Sequence, residues 1–331
     1  MKKFILKIIP FLLFCGIIMI GIPVIIDPCN VFHWKKIRDN GIEVNKNYIK
    51  MKYILSNSDK FDTYLFGSSR VGAIHVDKIQ NEKCYNMTYS MGVPEEHLAN
   101  IKTFISSNII PKKIYLGVDS MSYTENPQDH TYIRMRCPYE YLRENPTEFI
   151  KFYFNPNMAI ESLKVTRSYV KKENIENIFY EYGWWFDYNE TSTYDWSIAE
   201  PGIGDDVYLD DTLKDIKDIK TICDENNIEL LTFVNPMCEL TYRASLDIDY
   251  YSFLKQLSEI TDYYNFSGLN DITRDYDNFL DNSHFTAEIG DMMIDCMCSK
   301  KIDETLYEQG FGKYVTKENI NEFIEVLSGQ K

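Results

Sequence analysis

Phe61-Asp-Thr-Tyr-Leu-Phe-Gly67, running straight into Ser68-Ser69-Arg70, is the stretch on which the fold turns. A short apolar run that stops at glycine has the length of a buried strand, not of a helix, and the glycine marks a tight turn after it. Working outward, a second short strand fits Cys84 to Met87, a third Lys113 to Val118, a fourth Ile228 to Val234 and a fifth Tyr263 to Phe266. The third and fourth are almost continuously apolar, the pattern of strands covered on both faces of a parallel sheet. Helical spacing appears between them, in Leu98, Ile101 and Ile105 after Pro94 and in Leu209, Leu213, Ile216 and Cys223. Strands alternating with helices predict an α/β domain over residues 61–300, three-layer α/β/α on a flavodoxin-like parallel sheet. One crossover is too long. About a hundred residues separate Asp119 from Ile228, where a parallel connection needs about a dozen. An insertion over residues 120–205 therefore leaves the sheet at a strand's carboxyl end, the edge where such sheets bind ligands.

Composition narrows the functional classes. The 331 residues are 44% hydrophobic and 26% charged, which excludes collagen-like, low-complexity and wholly disordered chains. Lys and Arg number 35 against 50 Asp and Glu, a net charge of −15 with no local basic stripe, so nucleic acid is not an expected partner. The eight cysteines, Cys15, Cys29, Cys84, Cys137, Cys223, Cys238, Cys296 and Cys298, fall at no zinc-ribbon spacing. Gly-x-Gly-x-x-Gly and P-loop patterns are missing. Neither a metal nor a cofactor is expected, and the one acidic alternative, a cation held by Asp277, Asp281 and His284, is disfavoured because acids are common in the loops of an acidic chain.

The N-terminus has its own signal. Lys2, Lys3 and Lys7 precede an uncharged run from Ile8 to Ile26, which as a helix of about 28 Å matches the hydrocarbon thickness of a bilayer. No small-x-small cleavage site closes it, so residues 1–26 read as an uncleaved single-pass anchor. The N-terminal lysines favour an inside N-terminus, with Lys35, Lys36 and Arg38 opposing them; an extracytoplasmic body is expected, a cytoplasm-facing one being the alternative. Residues 27–60 read as a juxtamembrane connector with a helix from Val44 to Leu55, and residues 301–331 as a C-terminal tail ending in a helix.

Within the insertion, Phe179 to Tyr188 and Tyr194 to Trp196 bring nine aromatics into 18 residues, with Trp184, Trp185 and Trp196 being three of the four tryptophans. Two readings stand: a hydrophobic roof over the sheet, or a stacking platform for sugar rings flanked by acids that bind hydroxyls.

A serine just after the first strand of such a sheet can attack an ester carbonyl, and it needs a base. Of the five histidines, His33, His75, His97, His130 and His284, only His284 has an acid at fixed short spacing, in Asp281-Asn-Ser-His284, with Thr286 placed to cap the helix that follows. The logic is that of a nucleophile, a base and an orienter: His284 takes the serine proton and Asp281 fixes the imidazole tautomer.

Gly67-Ser68-Ser69, Gly92, Gly117-Val118-Asp119 and Asp281-x-x-His284 resemble, in order, the blocks of the SGNH (GDSL-like) hydrolases, over about Asp62 to Lys300 without the aromatic insertion. The nearest flavour is a membrane-anchored branch similar to teichoic acid D-alanine-transfer and polysaccharide O-acetyltransfer proteins. The resemblance implies Ser69 as nucleophile, His284 and Asp281 as its partners, and the backbone N–H groups of Ser69 and Gly92 as an oxyanion hole. The family's third-block asparagine is replaced by Asp119, whose charge would oppose an oxyanion. Because the first and third strands are neighbours in a flavodoxin-like order, Arg70 is expected to neutralise Asp119, and Asn86 is a candidate replacement donor or a turn cap.

The expectation is a membrane-anchored extracytoplasmic serine esterase or O-acyltransferase acting on a cell-surface glycan or envelope polymer. Its partners would be the bilayer through residues 8–26 and a multispanning acyl-transfer or export protein. The alternative is a catalytically inert sheet of the same ancestry that binds glycan or scaffolds such a machine.

Overall fold

The computed structural model describes residues 2–35, 42–168, 181–204 and 206–330. Lys36 and Arg38 of the flanking basic cluster, and Phe179 and Tyr180 of the aromatic run, lie outside them. Contacts divide the chain into two compact units, Met1–Ser56 with Gln128–Tyr180 and Asn57–Pro127 with Glu181–Lys331.

The second unit is the α/β body. Its strands are β1 (Thr63–Phe66), β2 (Cys84–Asn86), β3 (Lys113–Val118), β4 (Glu229–Val234), β5 (Tyr263–Asn265) and β6 (Lys313–Val315). They run in the order β2-β1-β3-β4-β5-β6. The first five are parallel and β6 is antiparallel to β5, so the sheet is mixed. The parallel part has the 2-1-3-4-5 order of a doubly wound sheet.

Alternation along β1 builds the layers. Tyr64 and Phe66 point to one face, where their rings lie 4.8 and 6.1 Å from Phe104 of the helix Pro94–Ser106. Leu65, with Tyr115 and Phe233, points to the other and packs in one core with Ile289 and Met293 of the helix Ala287–Ser299. All three β1 side chains are fully enclosed, and burying each contributes about 1.5–3 kcal/mol. Glycine is required where β1 and β3 end. A Cβ on Gly67 would stand 2.7 Å from a Val71 methyl, and one on Gly117 would stand 2.6 Å from the same side chain. Val71 can therefore seal the top of the sheet only over two bare backbones.

Residues 301–331, read as a tail, complete this unit. Lys313–Val315 supplies β6, and the helix Ile320–Gly329 buries Ile320, Phe323, Ile324 and Leu327. A three-residue strand of Lys-Tyr-Val has no periodicity to read; only its pairing with β5 reveals it.

The first unit is helical. It holds the helix Lys2–Ile26, whose segment Ile8–Ile26 is long and apolar enough to cross a membrane. The helices Lys46–Leu55, Tyr139–Glu144, Pro146–Tyr153 and Pro156–Ser168 join it. Cys29, Val31, Tyr48, Ile49, Cys137, Leu142, Tyr153 and Met158 form its core. Asn45 caps the helix Lys46–Leu55 through the Tyr48 N–H at 3.1 Å, while its amide donates to the carbonyls of Arg134 and Cys137 at 3.0 and 3.1 Å. This division differs from the sequence reading, in which residues 27–60 were a connector and 120–205 one insertion. Isolated apolar residues such as Cys29 and Val31 become a core only when residues near 140–160 are brought to them.

Candidate active site

The turn after β1 is shaped by its own polar residues. Ser68 is extended and its Oγ accepts the Arg70 N–H at 3.3 Å, opening the 3-10 turn Ser69–Ala73. The register of β1 on β2 places Asn86 beside Leu65, and from there its amide donates to the carbonyls of Val71 and Ile74 at 2.8 and 3.2 Å. The Asn86 Oδ1 accepts the Thr88 N–H at 2.9 Å, and Thr88 Oγ1 donates to the Ser68 carbonyl at 2.8 Å. Both amide hydrogens of Asn86 thus go to the turn after β1, which is the turn-cap role considered for it and not the oxyanion-donor role.

The opposing loop is equally local in origin. Phe279 and Phe285 pair as an antiparallel bridge with both rings buried, and the Leu280 N–H donates to the His284 carbonyl at 2.7 Å. Between them Asp281 Oδ1 accepts the N–H groups of Ser283 and His284 at 2.7 and 2.9 Å, an Asx turn that bends the chain back on its own aspartate. The same carboxylate meets His284 Nδ1, Oδ2 at 2.8 Å and Oδ1 at 2.9 Å. His284 Nε2 lies 2.8 Å from Ser69 Oγ across 215 residues of sequence. A carboxylate only accepts, so Nδ1 carries the proton and Nε2 faces the serine hydroxyl as acceptor. Partial burial pushes the Asp281 carboxyl up, yet the hydrogen bond and charge of His284 and the two backbone N–H groups outweigh it and hold it below the usual carboxylate range. Thr286 stands at the N-cap of the helix Ala287–Ser299 without a side-chain cap bond.

Arg70 and Asp119 meet as the strand order requires, with Nη1 to Oδ1 at 2.5 Å and side chains 0% and 1% exposed. Asp119 Oδ1 also accepts the Met121 N–H at 2.8 Å, and its Oδ2 accepts the Asn235 amide at 2.8 Å. Asn235 was not singled out in the sequence, although β3 pairs Val118 with Val234, which sets the next residue of each strand side by side. Gly92 lies over the β1 end, where a Cβ would be 3.0 Å from the Gly67 carbonyl oxygen. Its N–H makes a long 3.4 Å bond to the Tyr89 carbonyl after Met91, which is in the left-handed region at φ +56°.

The aromatic segment runs along this turn. The Asn86 N–H donates to the Tyr182 carbonyl at 2.8 Å, and the Trp185 and Phe186 N–H groups reach the Gly72 carbonyl at 2.7 and 3.1 Å. Phe186, another residue sequence reasoning missed, sets its ring 4.8 Å from the His284 ring. Trp184 stacks on His75 at 3.9 Å, Trp185 on Phe186 at 5.3 Å and Trp196 on Tyr276 at 4.3 Å. Each expected tryptophan therefore spends one face on a protein ring, as a roof does.

Further along, the chain straps the site. The Glu200 carbonyl accepts the Asn282 amide at 2.6 Å, and the Gly202 carbonyl accepts Arg70 Nη2 at 2.5 Å. The Gly202 N–H donates to Thr241 Oγ1 at 2.9 Å, and that hydroxyl donates to the Asn282 carbonyl at 2.7 Å. Backbone carbonyls leave no side-chain signature, so this strap was invisible in the sequence. Ser69 itself is 6% exposed, and its hydroxyl is held between an acceptor imidazole and the sheet's upper edge. The arrangement has the geometry to take a proton from the serine hydroxyl; among the described residues no group of three or more His, Cys, Asp and Glu is gathered for a metal. No family model, no curated protein and no solved structure matches the chain.

Proposed function

We propose that the chain is a membrane-anchored serine acyl-ester enzyme of the SGNH type, acting on an acyl group carried by a cell-surface glycan or related envelope polymer. The observation that carries this reading is the Ser69 Oγ to His284 Nε2 separation of 2.8 Å, with Asp281 on the far ring nitrogen. In the first half-reaction Ser69 Oγ bonds to the ester carbonyl carbon while His284 Nε2 takes its proton; the carbon–oxygen bond to the leaving alcohol then breaks and His284 returns the proton to it. Water or a sugar hydroxyl resolves the acyl-serine by the reverse sequence, giving hydrolysis or O-acyl transfer. The N–H groups of Ser69 and Gly92 are the oxyanion donors the resemblance implies, Gly92 leaving its long bond to Tyr89. Arg70 removes the objection raised by Asp119, because the paired carboxylate presents no net charge to the developing oxyanion.

Transfer is the favoured branch. Phe186 over His284 screens the acyl-enzyme from bulk water, and the half-buried rings of Trp184 and Trp196 suit a sugar acceptor. The Ile8–Ile26 segment supplies the anchor, and an extracytoplasmic body would meet envelope polymer directly.

A fluorophosphonate probe tests the reading. Wild-type protein is expected to label covalently, Ser69→Ala to lose labelling, and deacylation of a labelled acetyl ester to accelerate with sugar acceptor. Wild type that stays unlabelled while folded supports the second reading, an inert glycan-binding or scaffolding sheet, which the occupied Gly92 N–H favours.

A further inference from the structure

Within the helical unit, the apolar segment Ile8–Ile26 is little buried, with Phe11, Leu12, Leu13, Phe14 and Ile17 among its exposed side chains. Its less exposed residues include Cys15, Met19, Ile22 and Ile26 at helical spacing, with Pro23 buried beside them. The helix Pro156–Ser168 packs along the helix Lys2–Ile26. It starts near the carboxyl end of that helix, since Met158 shares a core with Cys29 and Val31. Over residues 156–165 its buried positions are Met158, Ala159, Ser162 and Val165, while Ile160 and Leu163, three residues apart, are 52% and 53% exposed.

Packed helices lie with their axes about 8–10 Å apart, so an element laid along a bilayer-crossing run shares the surroundings of that run. We propose that Pro156–Ser168 is a second membrane-contacting element, seated beside the N-terminal helix at the bilayer interface with Ile160 and Leu163 against lipid. Two charges on this helix, Glu161 and Lys164, pair with each other at 2.7 Å, and a lysine stem reaches from the acyl boundary to the headgroups. The inference rests on the reading of Ile8–Ile26 as a bilayer span, and its test separates the two.

The full chain, with Cys15 and Cys298 replaced by alanine, is spin-labelled through single cysteines at Ile160, Leu163, Ile17 or Ile198. Each variant is reconstituted into phosphatidylethanolamine and phosphatidylglycerol vesicles, and collision with oxygen is compared with collision with a water-soluble nickel chelate. Positions 160 and 163 are expected to match position 17, with an oxygen-to-nickel ratio several-fold above that at 198. Labels at 160 and 163 that behave like 198 while 17 remains lipid-exposed overturn the proposal and leave the anchor standing. A water-exposed label at 17 removes the anchor reading and the proposal together.

Discussion

Asp119→Asn would install at the end of β3 the residue that the resembled hydrolases carry there, and the contacts around it predict damage, not repair. Arg70 and Asp119 are 0% and 1% exposed, so neither charge can turn to water when its partner goes. Asp119 accepts from three donors, Arg70 Nη1, the Met121 N–H and the Asn235 amide. Asparagine offers one acceptor oxygen and aims its own NH2 at a donor, either the guanidinium or Asn235. Removing one partner of a buried ion pair costs about 3–5 kcal/mol. With a urea slope of about 2–3 kcal/mol per molar, the midpoint falls by about 1–2.5 M. Urea unfolding of the full chain in detergent reports this through tryptophan fluorescence, since Trp184, Trp185 and Trp196 all lie in the α/β unit. The double variant Arg70→Met with Asp119→Leu leaves no buried charge and should recover part of the loss, the Gly202 carbonyl, Met121 N–H and Asn235 amide still lacking these partners. An Asp119→Asn midpoint indistinguishable from wild type, or a double variant worse than the single one, would refute the account of this pair as mutual neutralisation.

Two further outcomes follow from the same geometry. Gly202→Ala brings a Cβ to within 2.4 Å of Ser283 Oγ and 2.8 Å of the Asn282 carbonyl oxygen; the hydroxyl can rotate, the backbone cannot, and a shift of about 1 Å in the His284 loop should slow fluorophosphonate labelling about 10- to 100-fold. Gly329→Ala, with nothing within 4 Å, is the control and should label as wild type. His97 sits buried beside Tyr89, whose hydroxyl is 3.2 Å from its Nδ1, and burial pulls the imidazole down to about 3. Below its ordinary value of about 6.5 the unfolded chain takes up a proton that the native one refuses, so acidification toward pH 3 costs up to about 5 kcal/mol. His97→Gln should flatten stability against pH across that window; an unchanged slope would remove His97 as the cause.

The parts legible in the sequence are those whose physics is local or follows from strand order. Apolar runs such as Lys113 to Val118 and Ile228 to Val234 read as buried strands, and β3 and β4 are where they were expected, β3 enclosed from Ile114 onward and β4 from Thr232. Asp281-x-x-His284 was readable because an aspartate three residues before a histidine closes an Asx turn on itself. The Arg70 to Asp119 pairing followed from two strands being neighbours, and by the same step Asn235 was within reach but carried no chemical flag. What stayed hidden depends on tertiary partners: β6 exists only against β5, Cys29 and Val31 form a core only with Met158 and Tyr153, and Asn86 shows its role only once the carbonyls of Val71 and Ile74 curl toward it. The strap was hardest, because its functional atoms at Glu200 and Gly202 are carbonyl oxygens common to every residue.

That strap makes the site a closed hydrogen-bonded circuit. From Ser69 the chain passes to Arg70, whose Nη2 donates to the Gly202 carbonyl; the Gly202 N–H donates to Thr241 Oγ1; Thr241 donates to the Asn282 carbonyl; and His284, two residues on, returns to Ser69. The Ser69 turn is thus tied to the strap through Arg70, and the His284 loop through the fully buried Thr241 hydroxyl together with the Asn282 amide on the Glu200 carbonyl. Thr241 touches neither Ser69 nor His284, yet Thr241→Val, which keeps the shape and removes the oxygen, strands the Gly202 N–H and leaves the Asn282 carbonyl only the weak Cys238 thiol at 3.5 Å, at about 1–3 kcal/mol in stability. Catalysis should suffer more than stability, because a base loop displaced by about 1 Å loses on the order of 100-fold. Thr241→Ser retains the hydroxyl and should restore labelling close to wild type. If the valine variant reacts with fluorophosphonate at the wild-type rate, the 2.8 Å meeting of Ser69 and His284 is held by the two loops alone and the strap is only a cover.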